Sequence, residues 1–241
     1  MRQRPVVAID GPAGSGKSTT ARAVAEALGF THLDSGALYR TVTLVALEKL
    51  RGAPDGWTAE AIVTAAVSDG VKVTAEGGSF RVERGGRPVG EEIRAEAVTR
   101  EVSRVAAMRP VRTLVNGLLR TAGARGGVVM DGRDIGTAVF PDAEVKVFLV
   151  AEPAERARRR LAERGLPTDE RAVKAEAGAL LARDQHDKGR DADPLLQAGD
   201  AVVIDTTHLA FDEQVRRVVE LVRRPGLRLT GGRDDLAGGL R

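Results

Sequence analysis

Cysteine is absent from the chain, which removes disulfides, thiol nucleophiles and cysteine-bound zinc together. Histidine is nearly as scarce. His32, His186 and His208 stand far apart in the 241 residues, so a metal cluster built on imidazoles has little to draw on. Aromatics make up 3% against an ordinary apolar fraction of 42%, and Val, Leu and Ala must therefore fill the core. No apolar run approaches the roughly 20 residues that span a bilayer. Val6–Ile9 follows two early arginines but is too short for the core of a signal peptide. Charge of one sign is not in excess either. Lys+Arg number 37 and Asp+Glu 34, a net +3 that creates no global basic field for nucleic acid. These shortages lead to the expectation of a cytoplasmic protein with small-molecule partners, bound neither to membrane nor to nucleic acid.

What is present alternates. Short apolar runs at Pro5–Asp10, Phe30–Leu33, Val128–Asp131, Val145–Val150 and Ala201–Asp205 have the length and composition of buried parallel strands. Between them lie helical patterns: Ala21, Val24, Ala25 and Leu28 closed by Gly29, then about 37–50, one through 98–105 and another through 111–122 joined at Arg109-Pro110, and 156–164, 170–188 and 211–222. The alternation predicts a three-layer α/β fold around a parallel sheet. Residues 71–90 differ, with period-2 alternation and turns at Gly77-Gly78 and Gly85-Gly86, so a small antiparallel meander is expected inside an insertion over about 58–96. The charged stretch from about 153 to 188 is expected to form a helical lid, and 225–241 a frayed tail on a single 1–241 domain.

Between the first strand and first helix stands Gly11-Pro12-Ala13-Gly14-Ser15-Gly16-Lys17-Ser18, followed by Thr19. It matches G-x-x-x-x-G-K-[ST] in full and in the required context. Such glycines let successive backbone N–H groups point at phosphate oxygens, and the helix that follows adds its positive end. Lys17 is expected to reach the β- and γ-phosphates of ATP, and Ser18 to ligate Mg²⁺. The motif identifies a nucleotide site without naming the reaction. No N-K-x-D occurs for guanine recognition, and Met130-Asp131 is the nearest approach to a second acidic nucleotide motif.

Three further segments bear charge at strand ends or on a helix. Asp34-Ser35 through Arg40 and Asp131-Gly-Arg133-Asp134 each follow an apparent strand, where α/β sheets bind ligands. Arg183, Asp187 and Arg190 are spaced to share one helix face. Each has a bland alternative: a helix cap for Asp34-Ser35, a tight turn for the second, a solvated ion-pair ladder for the third. Beside a phosphate loop, the arginines suit a reaction that must hold two anions together. The residues alone leave open which acceptor is used, UMP, AMP and shikimate among them, or whether the chain is a non-catalytic ATP- or nucleic-acid-binding module.

Over residues 5–222 the chain resembles the bacterial cytidylate (CMP) kinases. The resemblance is carried by Ile9 to Lys17, Asp34 to Arg40, Glu92-Ile-Arg94, Val105-Ala-Ala, Asp131 to Asp142, Arg183-Asp-x-x-Asp187-x-x-Arg190 and Pro194-Leu195. It implies transfer of the γ-phosphoryl of Mg·ATP to CMP or dCMP by a monomer with a P-loop NTPase fold, a monophosphate-binding insertion and a lid. It also implies Ser35, Arg40, Arg133 and Arg190 near the acceptor phosphate, and Ser103, Arg112 and Asp134 around cytosine. Arg183 and Asp187 would face the sugar, Arg156, Arg159 and Arg160 the ATP from the lid, and Asp131 would position groups nearby. Lys17, Arg133, Arg160 and Arg190 are then the expected catalytic residues. The chain departs from the family's pattern at Arg109-Pro110, often reversed there.

Overall fold

The computed structural model describes residues 4–76 and 79–224; the tail expected at 225–241 lies outside them. Five parallel strands form the central sheet in the order β2-β6-β1-β7-β8: β1 (Val6–Asp10), β2 (Thr31–Asp34), β6 (Val128–Asp131), β7 (Val145–Val150) and β8 (Val202–Asp205). Every residue of β1 and β6 is buried, as apolar runs with helices on both sides require. Side chains alternate across the sheet. Val6 and Ala8 join a cluster with Leu38, Val42, Val115 and Leu119, while Val7 and Ile9 join Ala21, Val24, Leu149 and Val218. The first cluster is covered by α2 (Ser35–Lys49) and α5 (Arg109–Gly123), the second by α1 (Lys17–Leu28) and α8 (Phe211–Arg223). Three layers follow. The edge strand β8 leaves Val202 and Val203 exposed.

Helix ends follow local chemistry. Gly29 at φ 61° closes α1, its N–H reaching the carbonyls of Ala25 and Glu26. Asp34 caps α2, accepting the amide of Ala37 at 3.3 Å. Strand β2 therefore passes into α2 without a loop.

The expected meander is a separate antiparallel sheet of β3 (Lys72–Glu76), β4 (Ser79–Arg84) and β5 (Arg87–Pro88). Before it comes α3 (Ala59–Ser68), which buries only Ile62 and Ala66 and for which the sequence pattern raises no expectation. After it come α4 (Glu96–Ala107) and α5, joined at Met108 by Pro110 at the start of α5. A five-residue π-helical turn, Ile135–Val139, follows β6 and was likewise unforeseen. Helices α6 (Pro153–Glu163) and α7 (Glu170–Gly189) pack together around Ala157, Leu161, Val173 and Leu180. Because α7 ends at Gly189, Arg190 is its extended C-cap, so Arg183, Asp187 and Arg190 do not share one helix face. Among the described residues, no helix is long and apolar enough to cross a membrane.

Leu119 is fully buried on α5, whereas Val67 on α3 is 60% exposed. Leu119→Ala is expected to lower unfolding stability by about 2–5 kcal/mol. Val67→Ala should change it by no more than about 0.5 kcal/mol. Urea denaturation of the two variants measures the difference.

Candidate active site

The phosphate loop runs from the buried end of β1 into α1 and turns on glycines. Gly11, Gly14 and Gly16 all have positive φ, and a Cβ on Gly11 would sit 2.1 Å from the Leu149 carbonyl oxygen. Lys17 is buried and folds back on the loop, donating from Nζ to the Pro12 carbonyl at 2.5 Å and to Ser15 Oγ at 3.3 Å. Burial, then the neighbouring Arg133, pushes its ammonium well below the usual lysine range. An anion placed here would relieve both penalties. Ser18 and Thr19 face the open cleft.

The loop is braced from the side by the α6–α7 pair. Asp184 Oδ1 accepts the Ala13 amide at 2.9 Å, and Arg156 Nη1 donates to the Ala13 carbonyl at 2.8 Å and to Asp184 Oδ2 at 2.5 Å. Both residues are buried. Arg156, expected over ATP from the lid, is placed by the structure against the phosphate loop itself. It lies on the inner face of α6 with Ala157 and Leu161, and grips the loop backbone instead. Arg159 also stays outside the cleft, donating from Nη2 to the Thr206 carbonyl at 2.6 Å. Of the three arginines on α6 expected at ATP, Arg160 is the one that lines the cleft.

Acidic groups gather where β2, β6 and β1 end. Ser18 Oγ donates to Asp131 Oδ2 at 2.6 Å, while His32 Nε2 lies 2.7 Å from Asp131 Oδ1. Ser35 Oγ donates to the Asp131 backbone carbonyl at 2.7 Å. Burial, then the charge of Asp131, pushes the Asp34 carboxyl above its ordinary value. Among the described residues, no group of three His, Cys, Asp or Glu could hold a metal. The Ser18 hydroxyl beside the Asp131 carboxylate is nevertheless a hard-oxygen pair. That suits Mg²⁺, which keeps most of its shell for water and phosphate oxygens.

Opposite stand the arginines. Arg40 donates to Thr99 Oγ1 at 2.9 Å, Arg133 Nε to Asp187 Oδ2 at 3.0 Å, and Arg160 Nε pairs with Glu176 Oε1 at 3.0 Å. Arg183 Nε is buried with no hydrogen-bond partner. Burial, then Arg133, with Arg40 and Arg160 behind it, lowers the Arg183 guanidinium to about 10. Burial, then surrounding arginines, lowers Arg40 as well, so an anion in this part of the cleft would relieve both guanidiniums.

A second cluster closes the far end. Asp134 bridges two buried arginines, Arg112 Nη2 on Oδ2 and Arg190 Nη2 on Oδ1 at 3.2 Å. Burial pushes the Asp134 carboxyl up, and the two guanidiniums pull it back. Arg112 also reaches Asp193 Oδ2 at 2.7 Å and stacks over the Tyr39 ring. Arg190 donates to the Asp193 carbonyl. Ser103 faces the same end from α4.

A cleft of about 630 Å³ connects these groups. It brings together Ala13, Gly14, Gly16, Lys17, Ser18 and Thr19 from the donor side. From the other side come Ser35, Arg40, Ser103, Arg112, Asp131, Arg133, Asp134, Arg160, Arg183, Asp187 and Arg190. Gly11, Pro12 and Ser15 shape the loop from behind. Sequence reasoning missed His32 and Asp184. A histidine inside a four-residue strand and an acid within a charged helix carry no signal until their partners, 99 and 171 residues away, are located.

Known proteins resemble this chain along most of its length. A family model described as cytidylate kinase matches residues 7–224. A cytidylate kinase of Chlorobaculum tepidum is 44% identical over 93% of this chain and 95% of its own length. One from Pelotomaculum thermopropionicum is 45% identical over 92% and 97%. Among solved structures, a shikimate kinase from Acinetobacter baumannii in complex with shikimate aligns over 92% of this chain and 94% of its own. Its 18% identity and TM-score of 0.43 are too loose to bear on the acceptor.

The Arg156–Asp184 pair is buried on both sides, so removing either partner strands a charge. Arg156→Ala and Asp184→Ala are each expected to cost about 3–5 kcal/mol of unfolding stability. The double variant should cost clearly less than their sum, and a denaturation double-mutant cycle measures that coupling.

Proposed function

The chain belongs to the cytidylate kinase family, and on that premise we propose that it moves the γ-phosphoryl of Mg·ATP to CMP or dCMP. The products are ADP and CDP or dCDP. The observation that carries this reading is the set of arginines, Arg40, Arg133, Arg160 and Arg183, facing the phosphate loop across one cleft.

The acceptor phosphate is already an oxyanion near neutral pH, so no strong general base is required. The obstacle is repulsion between two polyanions before an in-line transfer with charge spread over the moving group. Two unit charges about 4 Å apart at an effective dielectric near 20 repel by roughly 4 kcal/mol. Lys17 and the phosphate-loop amides hold the donor. Ser35, Arg40, Arg133 and Arg190 hold the acceptor phosphate. Arg160, which lines the same cleft, is assigned to the charge that develops in transit. The planar guanidinium grips two phosphate oxygens at once, which a lysine ammonium cannot do. Mg²⁺, bound by Ser18 with Asp131 beside it, would neutralise charge on the donor phosphates.

Water is the competing nucleophile, and a site left open would waste ATP. We assign closure to the α6–α7 region, about 153–188, and acceptor binding to the 58–96 insertion. The 153–188 region carries Arg160 and Arg183 on the cleft side, which supports the first assignment. Arg159 remains outside the cleft, but it bonds Thr206, whose hydroxyl reaches the Ser15 carbonyl of the phosphate loop, and we assign it to ATP by that link.

Cytosine recognition falls to Ser103, Arg112 and Asp134. The exocyclic amine of cytosine donates where uracil accepts, and Asp134 keeps lone pairs beyond those used by Arg112 and Arg190. We assign Arg183 and Asp187, which line the same cleft, to the ribose or deoxyribose. One chain supplies every group named, which supports action as a monomer. Use of ATP and a mononucleotide is in keeping with a cytoplasmic location.

ADP release from Mg·ATP, measured with CMP, dCMP, UMP, AMP and GMP separately, tests the reading. Turnover should be far higher with CMP or dCMP, and no acceptor rising above the ATP-only control would overturn it. Asp134→Ala should lower the CMP-to-UMP ratio of kcat/KM by about tenfold or more. An unchanged ratio would remove Asp134 from base selection.

A further inference from the structure

Asp10 takes no part in the chemistry above, yet both of its oxygens are committed at a sensitive place. Oδ1 accepts the Ile135 amide at 2.8 Å and Oδ2 the Gly136 amide at 2.7 Å. The carbonyl of the preceding residue, Ile9, accepts the Gly132 amide at 3.1 Å. The last two residues of β1 therefore hold both ends of the segment Gly132–Gly136, which carries Arg133 and Asp134. The residue after Asp10 is Gly11, the first of the phosphate loop. Space at the contact is closed: a Cβ on Gly136 would come within 3.4 Å of Asp10 Oδ2 and 3.2 Å of Lys146 Cδ.

We propose that Asp10 is a positioning residue whose ionised carboxylate sets the acceptor-binding turn in register with the phosphate loop. The inference rests on the phosphoryl-transfer reading for what the turn binds, but not for the contact itself. An ionised carboxylate can only accept, and here it meets two backbone donors. Protonation turns one oxygen into a donor facing an amide N–H, and one of the two bonds is lost. Asp10 is buried, and burial pushes its carboxyl up to about 7; the Gly136 and Ile135 amides and Lys17 oppose that rise, while Asp134 adds to it. Lys146, the other charge nearby, has its ammonium on the Pro141 carbonyl at 2.6 Å and Asp200 at 2.9 Å.

Two pH effects of opposite sign follow. The folded-state value lies above the ordinary 3.8, so the folded protein binds the extra proton. Stability from this group is full below that ordinary value and is lost as pH rises towards 7. Acceptor affinity runs the other way, because both amides are held only once Asp10 is ionised. A group that merely stabilised the fold would move both quantities together.

The experiment compares wild type with Asp10→Asn between pH 6 and 8, measuring KM for CMP and for ATP separately. At pH 8 the variant should show KM for CMP raised about tenfold, as for loss of a charge-assisted bond, with KM for ATP within about twofold. Wild-type KM for CMP should climb more steeply than the variant's as pH falls through 7. Ionisation of the CMP phosphate, near pH 6, is common to both proteins. Equal rises in both KM values, or parallel pH profiles, would overturn the proposal. Amide NMR of wild type needs neither turnover nor the variant: Ile135 and Gly136 should titrate together near pH 7, and flat shifts there would also overturn it. Absence of CMP turnover by wild type would instead defeat the functional reading, leaving the Asp10 contact to be judged by the NMR titration.

Discussion

The site depends on the register of three parallel strands. Pairing of β2 with β6 sets Asp34 opposite Asp131, and pairing of β6 with β1 sets Asp131 opposite Ile9, so that Asp10 emerges one residue further on. Three carboxylates thus reach one end of a sheet in which β1 and β6 are fully buried. A slip of one residue would turn each of them to the other face. Their gathering is tolerable because each has a different answer to its charge. Asp34 caps α2, Asp131 holds Ser18 and His32, and Asp10 takes two amides.

The same logic governs the positive groups. Where Asp134 stands between Arg112 and Arg190, and Asp187 beside Arg133, opposite charges interleave and offset much of the cost of burial. Arg183 has no such answer at Nε. That unpaired guanidinium edge lines the same cleft as Lys17. An enzyme that must bring two anionic groups together needs its surplus there and not spread over its surface. The near-balance of charge across the whole chain fits that arrangement.

Much of this was legible in the sequence, because the fold is built from local signals. The buried runs, the phosphate loop and the Gly29 stop each declare themselves within a few residues, and the structure has the expected parallel sheet and antiparallel meander. What was not legible depends on distance or on a single turn of helix. Arg156 and Arg160 lie four apart, yet one grips Ala13 and the other faces the cleft. Which way α6 is rotated depends on its packing against α7. His32 and Asp184 matter only through partners far along the chain. Arg190 looked like the third rung of a helical ladder because the spacing was right, but the helix stops one residue earlier.

Neighbours on α7 tie the two halves of the site together. Arg183 faces the cleft, while Asp184, about 100° further round the helix, turns inward to hold Ala13 of the phosphate loop. One turn on, Asp187 pairs with Arg133 of the turn that follows β6. A shift of α7 large enough to close over substrates must therefore either carry the phosphate loop with it or break a buried ion pair. The second course is costly. Movement is then cheapest for parts of the region not held this way, the exposed 164–169 connection between α6 and α7 and the outer turns of α6. Closure of this region, as proposed, is then cheapest at the end that bears Arg160 and leaves the phosphate loop undisturbed.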